Sequence, residues 1–238
     1  MGKNVLIIGA SGDIGIAIAE KLAMNGYSLL LHGNQNVARL FQFRRQSRTE
    51  AVLDIMEANL ADPTGIENFI EKLAYSVDSI IFAGGRAQFG VFQQTPEKTM
   101  DEMLSLHVKA PWVITKHLLP SMIQKNAGNI IFITSIWGRD GASNEVVYSS
   151  VKGAQNSFVK ALAKEVGPSG VSVNGISPGF IETKMNQQLE LVEKEAIMEE
   201  IPLQRAGKPE EIANVVLFLL DKHAPYIHGE IINMTGGW

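Results

Sequence analysis

Apolar residues fall in short runs separated by longer stretches of helical spacing, and the two alternate along the chain. Val5 to Ile8 is the first run, of a length that suits a buried strand, and it ends in Gly9-Ala10-Ser11-Gly12-Asp13-Ile14-Gly15. Ile14, Ala17, Ile18, Leu22 and Ala23 then recur at helical spacing until Gly26. Ser28 to His32 predicts a second strand and Ala51 to Met56 a third. A helix follows from Pro63 to about Tyr75. Asp78 to Phe82 is a fourth strand, running into Ala83-Gly84-Gly85, and a long helical region covers Pro96 to Gln124. Asn129 to Thr134 forms a fifth strand that ends at Ser135. Val151, Ala154, Phe158, Ala161, Leu162 and Val166 then mark one helical face, leaving Lys160, Lys164 and Glu165 for solvent. Val171 to Ile176 reads as strand six, Pro209 opens a helix to Leu220, and Glu230 to Asn233 supplies a last strand. Neither repeat, linker nor low-complexity tract interrupts the series. Such alternation predicts an α/β chain with one domain over residues 1–238: a doubly wound, parallel, seven-stranded sheet with helices on both faces. Ligands of such sheets sit at the C-terminal edge of the strands.

The first strand, the glycine-rich turn and the helix have a joint use. Glycines let the main chain approach a phosphate closely, and a helix N-terminus offers free N–H groups to an anion. Ser28 to His32 completes a β-α-β unit of the length a dinucleotide site needs. A glycine would be usual where Asp13 stands. A carboxylate beside a pyrophosphate would be repulsive, so Asp13 is expected to cap the new helix and point away from the ligand. The end of the second strand selects between nicotinamide cofactors, because an acidic residue there binds the ribose of NAD and repels a 2′-phosphate. His32-Gly33-Asn34-Gln35-Asn36 holds no carboxylate, and Arg39 and Arg44-Arg45 follow, which favours NADPH. The arginines read equally well as a solvated helix face. Beyond the sixth strand, Pro178-Gly179 breaks the chain before a segment rich in Met, Gln and Glu. It is expected to act as a mobile lid over the site at about 183–205.

Composition changes this picture little. A hydrophobic content of 45% and a charged content of 19% are ordinary for a soluble globular protein. A net charge of -4 gives no reason to expect nucleic acid or an anionic membrane as partner. The absence of cysteine excludes disulfides and thiolate chemistry. The N-terminal apolar run is too short for a signal or membrane segment, so the expected compartment is the cytoplasm. No metal ligand set is assigned.

Tyr148-Ser149-Ser150-Val151-Lys152 carries the candidate chemistry. On a helix, Tyr148 and Lys152 share a face. An ammonium beside a phenol favours the phenolate and pulls its pKa down from about 10. A lowering of roughly three units requires about 4 kcal/mol of differential stabilisation. A phenol so tuned can protonate a carbonyl oxygen that is becoming an alkoxide.

Together these residues resemble the short-chain dehydrogenase/reductases, nearly end to end, and that resemblance implies a Rossmann fold. It rests on Gly9 to Gly15, on Ser135 thirteen residues before Tyr148-x-x-x-Lys152, and on Asn174 with Pro178-Gly179. Ile201-Pro202-Leu203, Gly207-Lys208-Pro209-Glu210-Glu211, Gly229-Glu230 and Gly236-Gly237 complete it. The resemblance implies that Tyr148 is the proton donor, that Lys152 lowers its pKa and binds the nicotinamide ribose, and that Ser135 hydrogen-bonds the substrate carbonyl. Gly9, Ser11, Gly12, Asp13, Ile14 and Gly15 would line the pyrophosphate and adenosine side, with Asn34 at the second strand's end. Asn59 and Leu60 match the adenine-contacting pair, although the family usually has Asp at Asn59. Ala83 and Gly84 would pack on the adenosine ribose, and Pro178, Gly179, Ile181 and Thr183 would hold the nicotinamide carboxamide. Two departures stand out. The fourth strand ends Phe82-Ala83-Gly84-Gly85 instead of Asn-Asn-Ala-Gly, and the fourth catalytic position, usually Asn, aligns with His107. In the family that residue's carbonyl holds a water leading to the lysine. Pro111, lacking an N–H, is expected to leave the carbonyl of His107 free for this.

Among its relatives the chain most resembles the 3-oxoacyl-[acyl-carrier-protein] reductases. Those enzymes place basic residues before the fifth and sixth strands, where an acidic carrier docks; here these positions hold Asn129 and Ser169. Ser135-Ile136-Trp137-Gly138, Glu145, Lys152-Gly153-Ala154-Gln155 and His107-x-Lys109-Ala110-Pro111 resemble a bacterial branch acting on translation elongation factor P. Its members reduce a 5-aminopentanone group on a modified lysine. Trp137 and Glu145 would then contact substrate, Glu145 pairing with its amine. A non-catalytic NADPH sensor is the reading from another class, and the intact Ser135-Tyr148-Lys152 set argues against it. The resemblance also implies a homotetramer, packed through the helices that hold His107 and Tyr148, with the tail at Trp238 reaching a second interface.

Overall fold

Side chains alternate across a strand, so consecutive apolar residues are stable only where both faces of a sheet are covered. That is the case here. The computed structural model describes residues 4–47, 50–186, 189–221 and 225–238. Its strands are β1 (Asn4–Ile8), β2 (Ser28–Gly33), β3 (Val52–Glu57), β4 (Ser79–Phe82), β5 (Gly128–Ile133), β6 (Val171–Pro178) and β7 (Ile231–Met234). They form one seven-stranded sheet in the order β3-β2-β1-β4-β5-β6-β7. Every pairing is parallel. The order reverses between β1 and β4, which opens a crevice at their C-terminal ends.

The helices are α1 (Asp13–Met24), α2 (Val37–Gln46), α3 (Pro63–Lys72), α4 (Glu97–Leu104), α5 (Ala110–Gln124), α6 (Trp137–Asp140), α7 (Val146–Val166), α8 (Leu191–Glu200) and α9 (Pro209–Leu220). Val5 and Ile7 join Ile18 and Leu22 of α1, Leu40 of α2 and Ile212 and Val216 of α9 in one core. Leu6 and Ile8 face the other way, against Phe69 of α3, Ile114 of α5 and Val159 of α7. Leu6 and Ile7 are wholly buried. Each is worth roughly 1.5–3 kcal/mol, so β1 cannot slip by one residue without misplacing both. The ends of the glycine turn and of β4 are thereby fixed.

Most predicted elements are present, within a residue or two at their ends, although α3 stops at Lys72 and α2 and α6 were not predicted. Two differ in kind. The region Pro96–Gln124 is not one continuous helix but α4, a π-helical turn over Ser105–Lys109, and α5. Proline at 111 has no N–H to give the carbonyl four residues earlier, and the ladder widens: Ala110 N–H donates to the Ser105 carbonyl five residues back. The lid region contains α8, none of whose residues is buried, and a 3-10 turn at Lys184–Asn186. Gln187 and Gln188, within the expected lid, lie outside the described residues. Among the described residues no helix is long and apolar enough to cross a membrane.

Candidate active site

The glycine turn is held shut by close backbone contacts. Gly9 has φ +78, and a Cβ there would stand 2.1 Å from Gly84 Cα. A Cβ on Gly15 would stand 2.3 Å from the Gly9 carbonyl. Gly12 differs: its Cβ would meet only the Gly9 carbonyl, at 3.5 Å. It is also the N-cap of α1 and makes no side-chain cap, so the first-turn N–H groups have no side-chain acceptor. Such a cradle fits a pyrophosphate. Ser11 is buried beside Gly33, where a Cβ would lie 3.1 Å from its Oγ. On the adenosine side, Asn34 Nδ2 donates to Asn59 Oδ1 at 3.4 Å, and Ala61 N–H donates to the same oxygen at 3.2 Å. The carboxamide at 59 thus braces its own turn and meets the end of β2. Leu60 is buried, and its carbonyl accepts from Ser105 Oγ at 3.2 Å.

Asp13 does not cap α1. It is the first helical residue, and Gly12 is the N-cap. Its Oδ1 accepts from Arg39 Nη1 at 2.6 Å and its Oδ2 from the Lys184 N–H at 2.7 Å. Partial burial works to raise its pKa, but these hydrogen bonds and charges hold it below the usual carboxylate value. Arg39 Nη1 also donates to the Ser11 carbonyl at 3.2 Å. The arginine cluster therefore divides: Arg39 reaches the turn, while Arg44 and Arg45 are exposed in the last turn of α2.

On the opposite side of the crevice, the Pro178 carbonyl at the end of β6 accepts from Ile136 N–H at 3.1 Å, and Gly179 N–H donates to the Met234 carbonyl at 3.0 Å. Ile181 bridges Gly207, and its carbonyl accepts from Asn186 Nδ2 at 2.7 Å. Thr183 accepts from Asn186 N–H at 3.0 Å, at the root of the lid. Ala83 N–H is tied to the Ile8 carbonyl at 2.9 Å.

Ser135, Tyr148 and Lys152 converge at the end of β5, and all three are buried. Gly138 allows this: a Cβ there would lie 2.7 Å from the Lys152 main chain, so α6 packs directly on α7. Ser135 Oγ accepts from Trp137 N–H at 3.2 Å. Lys152 Nζ donates to the Ile133 carbonyl at 2.9 Å and to Gln155 Oε1 at 3.2 Å. Burial lowers the lysine to about 7. Burial likewise pushes the Tyr148 phenol up to about 12, assisted by Glu145 and opposed by a hydrogen bond with Ser135. The sequence-based expectation that Lys152 pulls the phenol down is overturned for the chain's own residues. The ammonium is engaged by Ile133 and Gln155 and stands 5.7 Å from the ring centroid, and desolvation of the phenolate prevails.

The carbonyl of His107 is not left free either. Proline removes the helical donor as expected, but Gln155 Nε2 takes its place at 2.8 Å. The imidazole is fully buried and meets the Tyr148 ring edge-on at 5.8 Å. Its Nε2 lies 3.0 Å from the Arg86 carbonyl and 3.4 Å from Arg86 N. The shorter contact suits an Nε2–H donor and the longer one an Nε2 acceptor, while Nδ1 has no partner among the described residues. Burial, with Lys152 nearby, lowers the ring to about 3. It is neutral at physiological pH and packs against the phenol.

On the substrate side, Glu145 is the N-cap residue of α7 yet makes no side-chain cap. Burial raises its pKa, and a hydrogen bond from the Trp137 side chain lowers it. Among the described residues it forms no ion pair. Trp137 in turn stacks edge-on against Trp238 at 5.3 Å. Trp238 thus packs within its own chain, and its Nε1 donates to Glu200 Oε2 at 3.3 Å.

A family profile described as Enoyl-(Acyl carrier protein) reductase matches residues 9–238. The chain belongs to the short-chain dehydrogenase/reductase family. Uncharacterized oxidoreductase YmfI of Bacillus subtilis is 44% identical over 240 residues, covering 100% of this chain and 99% of that protein. The 3-oxoacyl-[acyl-carrier-protein] reductase FabG of Aquifex aeolicus is 35% identical, covering 99% of this chain and 97% of its own. A solved structure from Beutenbergia cavernae, carrying the name of an NAD(P) dependent gluconate 5-dehydrogenase with bound NADP, superposes with a TM-score of 0.93. It is 27% identical, with 100% of this chain and 96% of that chain covered. This chain is an oxidoreductase of the reductase-like branch that acts on CH–OH and C=O groups, and its cofactor is a nicotinamide dinucleotide.

Three contacts of this short-chain dehydrogenase/reductase site were not assigned from sequence: Gln155 on the lysine, Lys184 N–H on Asp13, and Trp238 on Trp137. A glutamine three residues after the lysine was the one available signal for the first. The second runs through a main-chain N–H and has no residue-type signal.

Proposed function

We propose that the chain is an NADPH-dependent ketone reductase in which Tyr148 protonates the carbonyl oxygen. The observation that carries this reading is the buried Tyr148 phenol, hydrogen-bonded with Ser135 and raised to about 12. When bound, the reduced nicotinamide supplies a hydride to the carbonyl carbon. A phenol at about 12 stays protonated at neutral pH, as a proton donor must. The alkoxide it meets is the conjugate base of an alcohol, a far weaker acid than a phenol, so the proton moves downhill. Ser135 holds the carbonyl oxygen within reach of the phenol, and the buried setting excludes water from the transfer. Lys152 would engage the nicotinamide ribose. Preference for NADPH is supported by the missing carboxylate at the end of β2 and by Arg39, whose guanidinium rests on the Ser11 carbonyl.

Two ketones compete. FabG relatives carry the name of 3-oxoacyl-[acyl-carrier-protein] reductases, and a 3-oxoacyl carrier is the first substrate class. Asn129 and Ser169 weaken electrostatic docking of such a carrier. A second reading, the 5-aminopentanone group on elongation factor P, is favoured by Glu145: a half-buried carboxylate beside Trp137 and close to Tyr148, without a cationic partner among the described residues. Paired tryptophans next to a carboxylate suit an ammonium. Either ketone would arrive on a protein, met by a homotetramer in the cytoplasm. Initial rates of NADPH oxidation with acetoacetyl carrier protein and with aminopentanone-bearing factor, side by side, test the reading. A strong preference for the acyl carrier sinks the elongation-factor substrate, and no oxidation with any ketone would leave a non-catalytic NADPH sensor.

A further inference from the structure

In the dinucleotide turn, where a glycine is usual, Asp13 is the residue that departs, and its carboxylate is fully used. Oδ1 holds Arg39 at 2.6 Å and Oδ2 holds the Lys184 N–H at 2.7 Å. The second bond joins residues 171 apart, linking the N-terminus of α1 to the root of the lid. Both partners are anchored behind it. Arg39 also donates to Ser11, inside the turn. Lys184 begins the 3-10 turn that Asn186 ties back to Ile181, and Ile181 is buried and bridged to Gly207. The Asp13 side chain is 17% exposed and that of Arg39 35%, while the bond to Lys184 lies at the surface. α8 buries none of its residues, so the bonds at Lys184 and Asn186 are what hold this end among the described residues.

We propose that Asp13 is a positioning residue that latches the root of the lid onto the dinucleotide turn and so sets how long the cofactor is retained. The inference rests on the cofactor reading above and extends it to dissociation. A charge-assisted bond from a carboxylate to a main-chain N–H is stronger than a neutral one, and Arg39 keeps the carboxylate ionised and aimed. A glycine at this position offers no acceptor, and the bond from the lid root to α1 is lost. Asp13→Asn offers a neutral carboxamide oxygen to Lys184 but loses the ion pair with Arg39. Lys184→Pro removes the donor and leaves Asp13 untouched.

Stopped-flow fluorescence of NADPH release from the full chain, by displacement with excess NADP, reads the latch directly. Melting curves without cofactor establish that each variant is folded. Asp13→Gly and Lys184→Pro are expected to release NADPH at least tenfold faster than the parent, with Asp13→Asn between. Asp13→Gly releasing at the parental rate or slower would overturn the latch. An Asp13→Asn variant as fast as Asp13→Gly would overturn the part assigned to the Lys184 bond. If the parent binds neither NADPH nor NADH, the cofactor reading falls and the latch with it. If the parent binds and the folded glycine variant is unchanged, only the latch falls.

Discussion

The side-chain amide of Gln155 spans the gap between Lys152 and His107, accepting from the ammonium at 3.2 Å and donating to the His107 carbonyl at 2.8 Å. A proline-induced π turn removes the carbonyl's helical donor, and a side chain from the neighbouring helix replaces it. One residue thereby orients the lysine and stabilises the irregular turn. Lys152, which would hold the nicotinamide ribose as a cation, loses its proton at about 7, so reductive activity is expected to decline as pH rises through that value. Gln155→Leu removes an acceptor from the ammonium and should move this limb to lower pH. It should also lower the melting temperature, since a buried polar group left unpaired costs about 1–3 kcal/mol. Gln155→Glu brings a carboxylate to the ammonium and should move the limb upward. A pH–rate profile unchanged in both variants would refute the coupling.

Tyr148→Phe removes the proton donor and little volume. Turnover with a ketone should fall by about 10²- to 10⁴-fold, the usual contribution of a general acid. NADPH affinity, measured by fluorescence titration, should change far less. Because the phenol sits at about 12, no limb of the parent's pH–rate profile between 6 and 9 should belong to it. Phe at 148 turning over at the parental rate would end the assignment of the donor.

The sheet was legible because apolar runs without alternation have one stable home, between two layers of helices, and β1, β2 and β5 are such runs. Ser135, Tyr148 and Lys152 were legible because their spacing fixes which strand end and which helix face carry them. The contacts that modify this site were not. Pro111 told of a missing donor, yet whether the ladder widens or the carbonyl stays bare is decided by what packs against it, namely Gln155. The phenol's pKa depends on how much water burial removes and on where the lysine points, and periodicity encodes neither. Asp13 looked like a cap because helix starts attract carboxylates; only the long-range return of the chain at Lys184 shows its partner.

Two buried imidazoles should make the protein acid-sensitive. His32 accepts Gly9 N–H at Nδ1, lies 3.0 Å from the Ala58 carbonyl at Nε2, and is lowered by burial to about 4. His107 is lowered to about 3. In the unfolded chain each ring takes a proton below about 6.5, whereas the folded rings do not until 3 to 4. Unfolding therefore binds protons in this window, and stability falls with pH from about 6.5 to 3. The loss is on the order of 3–5 kcal/mol per ring. His107→Asn, which cannot be protonated, should lose less melting temperature between pH 7 and pH 4 than the parent. An equal loss in both would show that His107 does not contribute.

Gly85 and His107 should behave as one unit. A Cβ on Gly85 would stand 2.5 Å from His107 Cε1 and 3.3 Å from Nδ1. The ring has little room to retreat, because Nε2 faces the Arg86 carbonyl and Tyr148 closes the opposite side. Gly85→Ala is therefore expected to destabilise by about 1–3 kcal/mol, the usual cost of overpacking. His107→Ala alone also destabilises, by leaving a cavity beside Tyr148. In the double variant the new methyl group enters that cavity, so the two costs should fall short of additive by more than about 0.5 kcal/mol, as for residues in contact. Urea titrations of the four proteins measure the term. Because the imidazole supports the phenol edge-on, Gly85→Ala should also lower kcat more than it raises KM, and His107→Ala should restore part of that loss in the double variant. Additive stabilities would mean that the ring moves aside freely and does not brace Tyr148.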